Sequence, residues 1–221
     1  MRSFIQVFFK VKMFKTIFGN LLIFFMPFVL IGQSINFEIG QTTSFYSHKT
    51  QSPEINFFST TGQSFRFSYS KEFLNNHEVS FGISLEQANS IGRVINTELI
   101  YDTRFLGVFT KLDYNIVSLV NRKFCASCTN IQLFATLGGQ LSSLVAGTQK
   151  INESTFNLKG VEDFKGIWIS PLIGLKLRFD ASDLVSLYGA YEFIPMINIT
   201  DNKEKFKINQ SIIIFGFRLW L

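Results

Sequence analysis

The last fourteen residues, 208–221, constrain this chain more than any others. They read INQSIIIFGFRLWL. Ile213, Phe215, Phe217, Leu219 and Leu221 share one parity and are all apolar. Gln210, Ile212, Ile214, Gly216, Arg218 and Trp220 share the other, which is mixed and carries the charge. Period-two alternation makes a strand with two unlike faces. The apolar face is too aromatic for a strand that simply ends a soluble domain. It suits lipid on one side and a polar interior on the other. The rest of the chain must then supply similar strands until the sheet closes.

It does so seven times. Ile35, Phe37, Ile39 and Phe45 alternate with Asn36, Glu38, Gly40 and Ser44. Phe65, Phe67 and Tyr69 oppose Arg66, Ser68 and Ser70, and Val79, Phe81, Ile83 and Leu85 oppose Ser80, Ser84 and Glu86. Leu133, Leu137 and Leu141 oppose Gln132, Thr136 and Gln140. Ile173, Leu175 and Leu177 oppose Gly174, Lys176 and Arg178, and Leu187, Tyr191 and Phe193 oppose Ser186, Tyr188 and Glu192. In residues 92–116 the apolar parity switches near residues 102–105, which predicts a bulge in one long strand or a tight turn between two. The bulge is preferred, because it keeps the strand number even. Long polar segments at residues 47–62, 147–165 and 195–207 read as external loops, and KEFLNNH (residues 71–77) and DASD (180–183) as short turns. The expected fold is all-β, an eight-stranded antiparallel up-and-down transmembrane β-barrel over residues 33–221.

The charges sort by face. Glu38, Arg66, Glu86, Lys111, Asp113, Lys176, Arg178, Glu192 and Arg218 lie mid-strand on the inward face, and none lies mid-strand on the outward face. A Lys or Arg facing lipid at the midplane costs about 2–4 kcal/mol, so a bilayer enforces this partition. Charges inside a narrow barrel have to pair. An interior salt-bridge network and no open pore are expected. A soluble calyx would also have eight strands, but with apolar residues inside and polar ones outside. So many Phe, Ile and Leu side chains do not fit within a small calyx.

Arg2, Lys10, Lys12 and Lys15 precede an apolar run at residues 21–31, LLIFFMPFVLI, with Gly32 before Gln33. Eleven residues are too few to span a bilayer, which takes about 20. The pattern is that of a cleavable signal peptide over residues 1–32, starting at Met1 or Met13. That segment holds four basic and no acidic residues, leaving 17 basic against 16 acidic in the rest. A nearly neutral chain offers no nucleic-acid-binding stripe.

Chemistry-bearing groups are few. Cys125 and Cys128 form CASC, which without a neighbouring βαβ unit reads as a candidate disulfide pinching a turn. Two thiols do not make a zinc site. The two histidines, His48 and His77, fall at opposite ends of the barrel. His48 with Ser47, Ser44 or Glu54 is the one arrangement an outer-membrane hydrolase could use; the expectation is a protein that is not an enzyme, with no cofactor and no metal. Tyr46, Tyr101, Trp168 and Trp220 read as interface or barrel-filling aromatics.

The GQS at residues 32–34, the strand RFLGVFTKLDY (residues 104–114) and the closing IIIFGFRLWL (212–221) resemble the small outer-membrane β-barrel proteins of Bacteroidetes-type bacteria, the PorT-like group with OmpA-type eight-stranded barrels. The resemblance implies an outer-membrane location, lipid as surroundings, and a structural or interaction role through external loops. Some members of that group assist a secretion system, so envelope or secretion proteins are the implied partners. It carries over no functional residue and no oligomeric state.

Overall fold

The computed structural model describes residues 33–48, 55–73, 77–94, 97–120, 130–161, 164–200 and 206–221. The candidate signal peptide and the CASC segment lie outside the described residues. Ten antiparallel strands form: β1 (Gln33–His48), β2 (Asn56–Phe73), β3 (His77–Gln87), β4 (Ser90–Val94), β5 (Thr97–Val120), β6 (Asn130–Ile151), β7 (Ser154–Asn157), β8 (Trp168–Asp180), β9 (Val185–Asn198) and β10 (Phe206–Trp220).

They make eight staves. β3 and β4 lie end to end, each paired with β2 on one side and β5 on the other. β7 only folds back on the end of β6, through Asn152 at φ 53°. Asn tolerates that left-handed conformation better than most residues. The remaining pairings run β1–β2, β5–β6, β6–β8, β8–β9, β9–β10 and back from β10 to β1, so the sheet closes. Following directly opposed residues from Phe37 leads through Phe67, Ile83, Val108, Leu141, Ile169, Ile197 and Lys207 to Ser47. The circuit returns to β1 ten residues along, from 37 to 47. A stagger of that size tilts the staves by about 35–45° and leaves a bore that side chains fill.

Hydrogen-bond donors explain one local irregularity. Pro171 stands opposite Pro195, between the pairs Ile169–Ile197 and Ile173–Phe193, and the β8–β9 ladder is interrupted there. Neither proline has an N–H to give.

Three expectations need correction. Residues 102–105 hold no turn; a register irregularity does fall there, between Arg104 and Phe105, but its extra residue is on β6 and not on β5. Gly92 belongs to β4, in the third stave, and β5 then runs with unbroken parity from Leu99 through Asp113. The bulges fall at Ile116 of β5 and at Val145 of β6, where Arg104 pairs with Ala146 but Phe105 with Leu144. The apparent switch arises because Leu99, Tyr101 and Phe105 are apolar and yet point inward. The predicted loops are also too long. Residues 56–62 belong to β2, 147–151 to β6, and 195–198 to β9. Beyond the apolar belt a strand has water on its outer face, so its outward residues turn polar and resemble a loop. Finally, β2 runs to Phe73, so Lys71 and Glu72 are strand residues and not part of a turn.

The outer surface is apolar and the inner surface charged. Outward Phe215, Phe81 and Ile39 are 66%, 62% and 61% exposed, whereas inward Arg218 is 0% exposed. This is the reverse of a soluble calyx. On β8 and the residue before it, every outward residue from Ile167 to Phe179 is apolar. That span, at about 3.3 Å per residue and tilted as above, rises about 30 Å, the thickness of a hydrocarbon core. Ile173→Arg, at the centre of that run, is expected to destabilise the barrel in lipid by about 2–4 kcal/mol, read as a lower urea midpoint for refolding into vesicles. An unchanged midpoint would argue that this face does not meet lipid.

Candidate functional site

Four staves carry the same succession of inward residues, from the end with the short turns to the end with the longer loops. β5 goes from Asp113 and Lys111 to Phe105 and Tyr101, and β8 from Arg178 and Lys176 to Leu172 and Trp168. β9 goes from Tyr188 and Glu192 to Ile194 and Met196, and β10 from Arg218 to Ile212 and Ile208. The interior is therefore stratified, with an ion network at the turn end and an apolar plug at the loop end.

The network has two lobes. In the first, the Arg66 guanidinium sits among three carboxylates. It donates to Glu86 through Nε at 2.9 Å and Nη2 at 2.7 Å, bonds Glu192 through Nη1, and lies 3.7 Å from Glu38. Lys111 bridges Glu38 at 3.0 Å and Glu192 at 3.1 Å. The Tyr188 hydroxyl donates to Glu38 at 3.0 Å, and the Gln140 amide to Glu86 at 3.1 Å. Gly216 makes the Tyr188 contact possible. It pairs with both Glu38 and Tyr188 across the sheet, and a Cβ there would overlap the Tyr188 ring. The ring lies over the glycine and reaches the carboxylate beyond it.

The second lobe lies nearer the turns. Lys176 bridges Glu78 at 3.2 Å and also bonds Asp113, which accepts from Thr136 at 2.5 Å. Arg178 contacts Glu72 at 2.6 Å, Asp180 at 3.1 Å and Glu78 at 3.4 Å. Arg218 pairs with Glu78, and its Nε donates to Asn36 at 3.0 Å. The Trp220 ring closes this end beneath Arg218 at 4.9 Å and Arg178 at 5.5 Å. Its indole N–H donates to Ser186 at 3.0 Å.

All nine charges singled out in the sequence point into this network and are buried: Glu38, Arg66, Glu86, Lys111, Asp113, Lys176, Arg178, Glu192 and Arg218. Glu78, fully buried, joins them as a tenth. Among the described residues it brings the buried set to five cations and five carboxylates. The first lobe holds two cations and three carboxylates, the second three cations and two carboxylates. Glu72 and Asp180 add acid at the partly exposed rim. Sequence reading passes over Glu78 because it follows the segment assigned to a turn. Its parity, shared with Ser80, Ser84 and Glu86, is the signal that places it inward.

The plug is built around Trp168, which stands edge-on to Phe105 at 5.4 Å and 73° and donates its indole N–H to the Phe164 carbonyl at 3.4 Å. Tyr46 and Tyr101 pack 5.5 Å apart, and Tyr46 donates to the Ala88 carbonyl at 2.5 Å. Tyr46, Tyr101 and Trp168 are thus buried interior side chains, and Trp220 is half-buried at the turn end.

The remaining candidates do not converge. His77 sits at the turn end, stacked on Tyr114 at 4.3 Å, with its Nδ1 accepting from the Asn115 backbone at 3.0 Å. His48 ends β1 at the other end of the barrel. The side chain of His48, and Glu54, lie outside the described residues, as do Cys125 and Cys128. Ser44 is buried and donates to the Asn89 carbonyl at 2.5 Å. Among the described residues, no group of three or more His, Cys, Asp or Glu is placed to hold a metal ion.

No family model matches the chain, and no curated protein matches it. Solved outer-membrane barrels are similar to it. Neisserial surface protein A is 14% identical, over 86% of this chain and 99% of its own, with a TM-score of 0.45. Ail, the attachment invasion locus protein of Yersinia pestis, is 13% identical over 86% and 100%, with a TM-score of 0.40. A major outer membrane protein from Thermus thermophilus is 8% identical over 85% and 99%, with a TM-score of 0.42. These are likenesses of outline. The barrel assignment rests on the closed pairing and on the polarity of its two faces.

Proposed function

We propose that this protein is an integral outer-membrane β-barrel with a closed interior. It serves a structural or interaction role through the segments at its loop end, and is neither an enzyme nor an open channel. The stratified interior supports this reading best. An ion-paired network followed by an apolar plug leaves the bore filled by side chains, and among the described residues it gathers no nucleophile, base and oxyanion donor together. Membrane lipid is then its solvent, and envelope or secretion proteins are what its loop segments would meet, in keeping with the PorT-like resemblance. Export through the N-terminal signal belongs to the same reading.

The test is gel mobility of outer-membrane fractions, boiled and unboiled, followed by reconstitution into planar bilayers. A band in that fraction that shifts on boiling, with no unitary conductance above the lipid baseline, is the expected result. A soluble periplasmic band without a shift would overturn the membrane location. Discrete, stable conductance steps would overturn the closed interior.

A further inference from the structure

The loop-end edge of the apolar belt has a step. On β9 the outward residues stay apolar through Phe193, Pro195 and Ile197, and Ile199 follows them. On β10, its paired neighbour, they turn polar. Ser211 stands opposite Phe193, Asn209 opposite Pro195 and Lys207 opposite Ile197. The polar strip widens across the next staves and is open to the loop end. β1 carries Gln41 and Thr43, with Gln63 and Thr61 of β2 opposite them. Gln87 ends β3 and accepts from the Gln63 backbone N–H at 3.1 Å, and Asn89 beyond it donates to the Thr61 carbonyl at 3.1 Å. Phe45 lies above Thr43 and opposite Asn209, and an aromatic ring suits the headgroup level. The belt is therefore short on this side. Outward apolar residues on β10 run from Leu219 to Ile213, half the length of the β8 run, so about 15 Å against about 30 Å.

Neither a level membrane nor a tilted barrel accommodates the step. A level boundary at the height of Ile199 would sink the exposed Gln41, Thr43, Thr61 and Gln63 into hydrocarbon, which offers amides and hydroxyls no hydrogen bond. A level boundary at Ile213 would lift the exposed Ile167, Ile169, Ile197 and Ile199 into water. Tilting exchanges opposite sides of a barrel, whereas this step falls between adjacent staves. A bilayer, by contrast, thins at a cost per ångström that is small beside that of one unpaired amide. We infer that the polar headgroups of the leaflet on the loop side descend along the β10–β1–β2 face, so that this face meets a thinned bilayer while β8 and β9 meet a full one. At the boundary the wall has a hollow of about 270 Å³, apolar below at Ile39, Phe65, Ile213 and Phe215 and bordered above by Gln41 and Gln63. It receives the junction between acyl chain and headgroup.

The inference rests on the membrane location proposed above, and the experiment separates the two. The ten-residue stagger is shared among the eight staves. The line of opposed residues from Ile169 through Ile197 and Lys207 to Ser47 therefore climbs by about four residues, which sets Thr43 level with Ile169. Single cysteines are placed in full-length protein carrying Cys125→Ser and Cys128→Ser: Thr43→Cys, Ile169→Cys, and Ile173→Cys at the centre of the β8 run. Each is spin-labelled, folded into phospholipid vesicles and probed with a water-soluble nickel chelate on both sides and with oxygen, which prefers lipid. The expected result is several-fold greater nickel access at Thr43→Cys than at Ile169→Cys, with oxygen favoured at Ile173→Cys. Nickel access at Thr43→Cys no greater than at Ile169→Cys, whether both are low or both high, would overturn the descent of the headgroups. Nickel access at Ile173→Cys equal to that at Thr43→Cys would overturn the membrane location, and the descent with it. Gln41→Leu, Gln63→Leu and Ser211→Leu together extend the belt, and should bring the Thr43→Cys label to the Ile169→Cys value. Unchanged access there would overturn the assignment of the descent to these side chains.

Discussion

Replacing Arg66 with Met is expected to destabilise the folded barrel by about 3–5 kcal/mol, the usual result of breaking a buried ion pair from one side. Arg66 is 4% exposed and is the only described cation that touches Glu38, Glu86 and Glu192 together. Without it, one ammonium, that of Lys111, faces three buried carboxylates, and Glu86 keeps only the Gln140 amide. The loss is read as a lower urea midpoint for refolding into vesicles, and as a lower temperature for the gel shift. The cause is separable from lost packing. Adding Glu86→Gln and Glu192→Gln to Arg66→Met returns the lobe to one cation and one carboxylate, Lys111 with Glu38, which are 3.0 Å apart. Most of the lost stability should return in that triple variant, because paired and hydrogen-bonded groups are tolerated inside where lone charges are not. A triple variant no better than Arg66→Met would place the cost in the missing side-chain volume.

The balance of that lobe bears on how far the interior could be read from sequence. Period two is a robust signal wherever a stave has lipid on one side and charge on the other. It is why Glu38, Arg66, Lys176 and Arg218 could be placed inward from spacing alone. The signal fails where the interior itself turns apolar. Leu99, Tyr101 and Phe105 are inward, Leu106 and Val108 outward, and nothing in their chemistry separates the two sets. Apolar parity jumps, although the strand does not. The signal fails again at the strand ends. Glu72 and Glu78 flank a hairpin whose two strands are paired up to Phe73 and His77, so residues that read as a turn or its edge are network members. What fixes them is the register between strands, a long-range property that a local pattern does not carry.

Trp168→Ala is expected to cost about 3–5 kcal/mol, comparable with the loss at Arg66 but for the opposite physical reason. Trp168 is fully buried against Phe105, and removing it leaves a void in the plug with no charge disturbed. The void is internal, so the surrounding barrel wall, held by its closed ladder, cannot collapse to fill it. The outward Phe215 provides the comparison. At 66% exposure it packs little against its own chain, and lipid can follow the surface when the ring is gone. Phe215→Ala should therefore lower the urea midpoint much less than Trp168→Ala. Equal losses would mean that Trp168 is not packed as a plug. The variant also reads out closure. With the ion network intact beneath it, Trp168→Ala alone should leave bilayer conductance at the lipid baseline. Combining it with Arg66→Met breaches both layers and should admit ions. Conductance from Trp168→Ala by itself would show that the apolar plug, and not the ion network, is what keeps the barrel shut.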